Sequence, residues 1–193
     1  MANMIFRRFC LFFAIIVWIS VANASDSAPS NEFNAIVAVA FGRDCKPLLL
    51  DRIGHANEEI LVAIYSFTRR DITGALIAAA ERGVTVHVKY DKTSAEWKGM
   101  KQTIGRLKKR KVRCTEIKMS GEYARMHNKF TVIDRRCVLT GSYNYTTTAS
   151  TQNHENLVAI ESPEIAQAFV AEFNCIKDDA IEESGAQQAD GTR

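Results

Sequence analysis

The sequence predicts an α/β fold in which a mixed β-sheet is sandwiched between helices. Two apolar runs rich in β-branched residues, Ala35 to Phe41 and Ile60 to Phe67, read as strands covered on both faces. Segments of helical periodicity separate the early strands, and shorter strands crowd the second half, which points to a mixed rather than all-parallel sheet. A length of 193 residues fits one such domain and leaves no room for two full catalytic domains.

The elements follow in order. Residues 1–24 carry Arg7 and Arg8, then the apolar run Phe9 to Val21, then Ala22-Asn23-Ala24 before Ser25. This is the three-part pattern of a secretory signal peptide, and its apolar core is shorter than the roughly 20 residues needed to span a bilayer. It accounts for 19 of the apolar residues, so the remainder falls from 47% to about 43% hydrophobic, ordinary for a globular domain. Lys46 to Ala56 reads as a helix. Asp71 is placed to cap a second, with Ile72, Ala75, Leu76 and Ala79 at helical spacing and Gly83 as its stop.

Val84, Val86, Val88 and Tyr90 alternate with Thr85, His87 and Lys89, giving a half-buried strand whose polar residues face water. A third helix is expected over Ala95 to Lys111, with Trp97, Met100, Ile104 and Leu107 inward. Strands are expected near Val112 to Met119, Lys129 to Asp134, Cys137 to Gly141 and Asn156 to Glu161. Ser162 and Pro163 then open a last helix as N-cap and first-turn residue, with Ile165, Phe169 and Phe173 inward. The folded domain is therefore assigned to residues 25–176, and residues 177–193, with five acids against two bases, to an acidic and disordered tail.

Without the signal, the chain holds 23 basic and 22 acidic side chains, so overall charge excludes nothing. Cys45, Cys114, Cys137 and Cys175 remain, an even number suited to one or two disulfides in an oxidising compartment, with three full pairings open. Their wide spacing speaks against zinc.

Chemistry concentrates in His127-Asn-Lys129-Phe-Thr-Val-Ile-Asp134, followed after six residues by Gly141-Ser142-Tyr-Asn144. Side chains two apart on an extended segment share a face, so His127 pairs with Lys129 and Ser142 with Asn144. An imidazole, an ammonium, a hydroxyl and an amide together suit a phosphate, with the imidazole able to attack phosphorus or carry a proton. Asp134 falls on the other face, where a structural hydrogen-bonding role competes with a catalytic one. The shorter His87-Val-Lys89 has no Gly-Ser-x-Asn partner and reads as part of a surface strand.

The long pattern resembles the HKD motif of the phospholipase D superfamily, H-x-K-x4-D-x6-G-S-x-N, and every fixed position matches. Six specified residues would arise by chance about once in several hundred thousand such chains. The chain is similar to the single-motif, Nuc-like bacterial endonucleases of that superfamily, which share a secretory start and comparable length. The resemblance implies a phospholipase D-like fold and a catalytic set of His127, Lys129, Ser142, Asn144, Glu155 and Asp134, with Glu155 orienting the histidine. It also implies a homodimer, because one motif supplies one histidine and phosphodiester cleavage of this type uses two, one as nucleophile and one as proton donor.

No His-Glu-x-x-His, acidic cluster near a histidine or zinc-spaced cysteine pair is present, so neither metal nor other cofactor is expected. A nucleic-acid track is expected from Lys98, Lys101, Arg106, Lys108, Lys109, Arg110, Lys111 and Arg113, eight bases without an acid, with Arg69 and Arg70 adding to it. The leading expectation is a metal-independent, non-specific endonuclease, secreted or periplasmic, acting on DNA and in a second place RNA. A lipid phosphodiesterase and an inactive nucleic-acid-binding member of the fold are the alternatives.

Overall fold

The computed structural model describes residues 33–178. The signal peptide expected over residues 1–24 and all but the first two residues of the acidic tail lie outside them. Seven strands form one mixed sheet in the order β1-β7-β6-β5-β2-β3-β4. They are β1 (Ile36–Phe41), β2 (Glu59–Ile64), β3 (Thr85–Asp91), β4 (Arg113–Ile117), β5 (Lys129–Ile133), β6 (Cys137–Gly141) and β7 (Asn156–Glu161). β2, β3 and β4 run parallel, and β5, β6, β7 and β1 continue antiparallel from the other edge of β2.

Helices cover both faces. α1 (Cys45–Gly54), α2 (Arg70–Glu81) and α4 (Lys98–Lys109) pack on one side over Ile60, Val62, Ile64, Val86, Val88 and Leu139. α6 (Pro163–Cys175) covers the other through Ala166, Val170 and Phe173, which meet Leu61, Ala63, Phe130, Val132 and Val138. The alternation along β2 and β5 thus feeds two separate cores. Two short helices, α3 (Lys92–Ala95) and α5 (Thr147–Thr151), lie at the end of the sheet where β2, β3 and β4 finish. Ser162 caps α6 by accepting from the Ile165 amide, with Pro163 in the first turn.

Several expectations are corrected. β1 is an edge strand, not a strand covered on both faces: Ile36, Val37, Val39 and Phe41 are all more than half exposed. Asp71 is not the cap of α2, because Arg69 holds that position and Asp71 sits in the first turn, paired with Arg69 and Lys46. Those two cations hold its carboxyl well below the usual range. The expected single helix from Ala95 is broken into α3 and α4, and Trp97 is the exposed residue ahead of α4, while Met100, Thr103, Ile104 and Leu107 are the buried ones.

β3 is buried on both faces, so His87 and Lys89 do not face water. Lys89 Nζ donates to the carbonyl oxygens of Phe173 and Ile176, each at 2.6 Å, completing the carboxyl end of α6. His87 is held by Thr115 Oγ1 at 2.9 Å and by the edge of the Phe173 ring. The four cysteines are free thiols, dispersed over α1, β4, β6 and α6, where the expectation was one or two disulfides.

Candidate active site

One end of the sheet gathers the groups that matter. The carboxyl ends of β2 and β3, the start of β5 and the end of β6 meet there. The β2–β5 ladder continues one step beyond the strands, through the Tyr65 amide to the Asn128 carbonyl at 3.0 Å, and delivers His127 to the edge. Behind it, the buried Asp91 accepts from the Met126 amide at 3.0 Å and from the Ser94 amide at 2.9 Å. One carboxylate therefore ties β3, α3 and the residue before His127 together.

His127 is exposed, and Lys129 Nζ lies 3.3 Å from both ring nitrogens and donates to the His127 carbonyl at 2.9 Å. The Tyr65 ring packs against the imidazole at 4.8 Å between centroids, with Lys129 Nζ 5.4 Å from the Tyr65 centroid. Partial burial and then the Lys129 charge lower the His127 pKa against an opposing pull from Asp91. The neutral imidazole, the form with a lone pair for phosphorus, is thereby favoured. Burial also lowers the Lys129 pKa, opposed by Glu155.

The second half of the set follows from alternation. Tyr143 and Tyr145 are buried, their hydroxyls paired with Ser150 Oγ and Thr131 Oγ1 at 2.6 Å each. Tyr145 also receives the Thr68 and Arg69 amides on its carbonyl. With the tyrosines fixed inward, Ser142 and Asn144 are turned the other way. Gly141 is required here by close approach, since a Cβ would fall 2.3 Å from the Asn156 carbonyl oxygen. Asn144 Oδ1 is buried without a hydrogen-bond partner, a polar atom poised in the site.

Glu155 receives the Ser142 hydroxyl and, at 2.9 Å, the Asn153 amide. Its hydrogen bonds within the chain run to these residues and not to the histidine it was expected to orient. Asp134 sits just past the other end of β5, about 17 Å along the strand from Lys129 and farther still from His127. Its oxygens accept from the amides of Asn57, Glu58 and Glu59 at 2.8 to 2.9 Å. Burial would raise its pKa, but these amides hold it below the usual carboxylate value. Asp134 and Arg135 both take positive φ in the β5–β6 turn. The geometry therefore assigns Asp134 to the fold and separates it from His127 and Lys129 at the other end of the strand.

The basic run is divided. Lys98 and Lys101 lie in the first turn of α4, whose start is fixed to the site end by the Phe67 amide on Met100 Sδ at 3.2 Å. Arg106, Lys108, Lys109, Arg110 and Lys111 lie toward the other end of a helix about 18 Å long. Arg110 is paired there with Glu81 at 3.0 Å. Arg113 is on the opposite face, lining a cavity with His87 and Phe173. Arg69 is committed to Asp71. Among the described residues, no three His, Cys, Asp or Glu side chains come together as metal ligands, and no helix is long and apolar enough to cross a membrane.

Fold and site together define the class: an α/β scaffold that gathers a histidine, a lysine, a serine and an asparagine at one end of a mixed sheet. A family model described as cardiolipin synthase, PLD-like domain, matches residues 49–177, and the chain belongs to this phospholipase D-like family. Phospholipase D of Rickettsia bellii is 34% identical over 126 residues, 65% of this chain and 60% of that protein. Mitochondrial cardiolipin hydrolase of Danio rerio is 32% identical over 125 residues, 65% of this chain and 53% of that protein. The chain thus matches little more than half the length of these curated relatives. Among solved structures, the phospholipase D family member Nuc from Salmonella typhimurium shares 28% identity at a TM-score of 0.68, covering 74% of this chain and 94% of Nuc. NucT from Helicobacter pylori gives the same identity and score, covering 74% of this chain and 96% of NucT.

Proposed function

We propose that the chain is a metal-independent phosphodiesterase, exported to the periplasm or beyond, that works as a non-specific endonuclease on DNA and, in a second place, RNA. The observation that carries this reading is the His127–Lys129 pair, one imidazole and one ammonium 3.3 Å apart beside Ser142 and Asn144. One chain thus offers one reacting histidine, and a homodimer supplies the second.

In this mechanism a His127 ring nitrogen attacks phosphorus as the bond to the leaving oxygen breaks, and that oxygen takes a proton from the second copy's histidine. Water then attacks the phosphohistidine, losing its proton to the same histidine and releasing His127. Lys129 and Asn144 face the phosphoryl oxygens where negative charge grows, and the Ser142–Glu155 pair steadies the loop that carries Asn144. No step calls for a metal.

The dimer reading draws support from β1. Val37, Val39 and Phe41 stand 53, 54 and 67% exposed on the face that carries α6, beside Val158 and Ile160. Phe41 places this apolar strip at the end of the sheet where His127 lies. The likeness to Nuc and NucT along nearly their whole lengths favours the short, single-motif form. The lipid alternative rests on relatives named phospholipase D and cardiolipin hydrolase, since the motif recognises a phosphodiester and not its substituents. Nicking of supercoiled plasmid in excess EDTA, set against release of phosphatidic acid from cardiolipin and phosphatidylcholine, separates them. Nicking without lipid turnover is expected. Lipid turnover without nicking, or nicking that returns only with a divalent ion, would overturn the proposal.

A further inference from the structure

Trp97 is half exposed, and it stands at the site end immediately before α4. Its ring meets the Tyr65 ring edge-on, with centroids 6.2 Å apart and planes at 84°, and Tyr65 in turn packs on His127. Three rings therefore run from the reacting imidazole out to solvent. This tryptophan does not serve the core, which α4 enters through Met100, Thr103, Ile104 and Leu107.

The rings are held in place. Met100 Sδ ties the start of α4 to the Phe67 amide, and Gly99 lets that turn close on Thr68, whose Cγ2 would sit 3.1 Å from an added Cβ. A large aromatic side chain kept half in water at a fixed position beside reacting groups is suited to a flat, weakly hydrated ligand. Charge says which kind. Lys98 follows directly, Lys101 comes one turn later, and the whole stretch Lys98 to Arg113 lacks an acid.

We propose that Trp97, backed by Tyr65, is a stacking shelf for an unpaired base flanking the scissile phosphodiester, with Lys98 on the adjoining phosphate, so that single-stranded DNA is the preferred substrate. The proposal rests on the nuclease reading and adds its specificity. A duplex keeps its base faces stacked on one another, whereas a single strand offers them to a protein ring, and every base has such a face. A membrane-inserting tryptophan would stand among apolar neighbours. Trp97 stands between the exposed Glu96 and Lys98.

The test compares kcat/KM on oligo(dT) and on a duplex of equal length for the wild type, Trp97→Ala and Trp97→Phe. The single-strand to duplex ratio should fall about tenfold in Trp97→Ala and be largely kept in Trp97→Phe. Oligo(dT) should also quench tryptophan emission of the full chain, and the quench should vanish in Trp97→Phe, where Trp18 is the remaining tryptophan. An unchanged ratio in a cleaving enzyme overturns the shelf alone. Wild type that cleaves neither form overturns the nuclease reading and the shelf with it. A blue shift on phosphatidylglycerol vesicles, without quenching by oligo(dT), would overturn the shelf in favour of a membrane contact.

Discussion

The sheet carries two His-x-Lys pairs, and they differ in everything except composition. His87 and Lys89 lie inside β3, each only 8% exposed, and serve the fold by finishing α6 and packing Phe173. His127 and Lys129 lie where β5 begins, with the ring exposed and the ammonium against it. Burial is the first cause of the lowered pKa of both imidazoles, so a perturbed histidine by itself does not mark a site. Position does. A pair at a strand end, followed by Ser142 and Asn144 just past the next strand, leaves its imidazole open to solvent. The same pair in mid-strand is taken up by a helix terminus, a threonine hydroxyl and an aromatic ring.

The contrast is broken most sharply by the histidines. His127→Ala should lower plasmid nicking by about a thousandfold or more without moving the unfolding midpoint, while His87→Leu should keep turnover within about twofold. The lysines come next. Lys129→Met should cost about a hundredfold in kcat, from lost charge at the phosphoryl oxygens. Lys89→Met should spare kcat but lower stability by about 1–3 kcal/mol in urea titrations, because two carbonyls at the end of α6 lose their donor. Equal effects of the two lysines on activity would erase the distinction.

A pH series sharpens it further. The folded His87 pKa is pulled down from 6.5 to about 4, chiefly by burial and then by Arg113 and Lys89. Between those values the unfolded chain takes up a proton that the folded chain refuses. Stability present in full above pH 6.5 is therefore lost progressively as pH falls toward 4, on the order of 2 kcal/mol, and His87→Leu should flatten that window. The smallest effect expected concerns the divided basic run. Lys98→Gln should slow DNA cleavage about fivefold, whereas Arg106→Gln with Lys109→Gln should change it less than twofold at the same salt.

Much of this was legible in the sequence. The limits of β6 and β7, and the Ser162-Pro163 start of α6, follow from local signals that the tertiary fold does not override. The grouping of His127, Lys129, Ser142 and Asn144 could be read from spacing, because alternation and the fixed interval place them on adjacent segments. What escaped depended on neighbours far along the chain. The apolar run of β1 reads as a central strand, and only pairing with β7 alone makes it an edge. Trp97 fits the inward stripe of a continuous helix, yet the break after α3 places it outside the core and beside the site. A run of eight bases looks like one surface, but the end of α4 and the turn into β4 send it to two ends and two faces of the sheet. The aspartate of the motif keeps its spacing because the β5–β6 turn needs it, not because a phosphate does.

The central claim is that one site is built from two copies of His127, and mixed dimers test it directly. Wild type and His127→Ala, unfolded together at equal amounts and refolded, would form wild-type pairs in about a quarter of the dimers. If every site needs both histidines, nicking activity falls with the square of the wild-type fraction, to about a quarter of the all-wild-type value. A linear fall, to about a half, would mean that each chain works with its own histidine and would contradict the shared site.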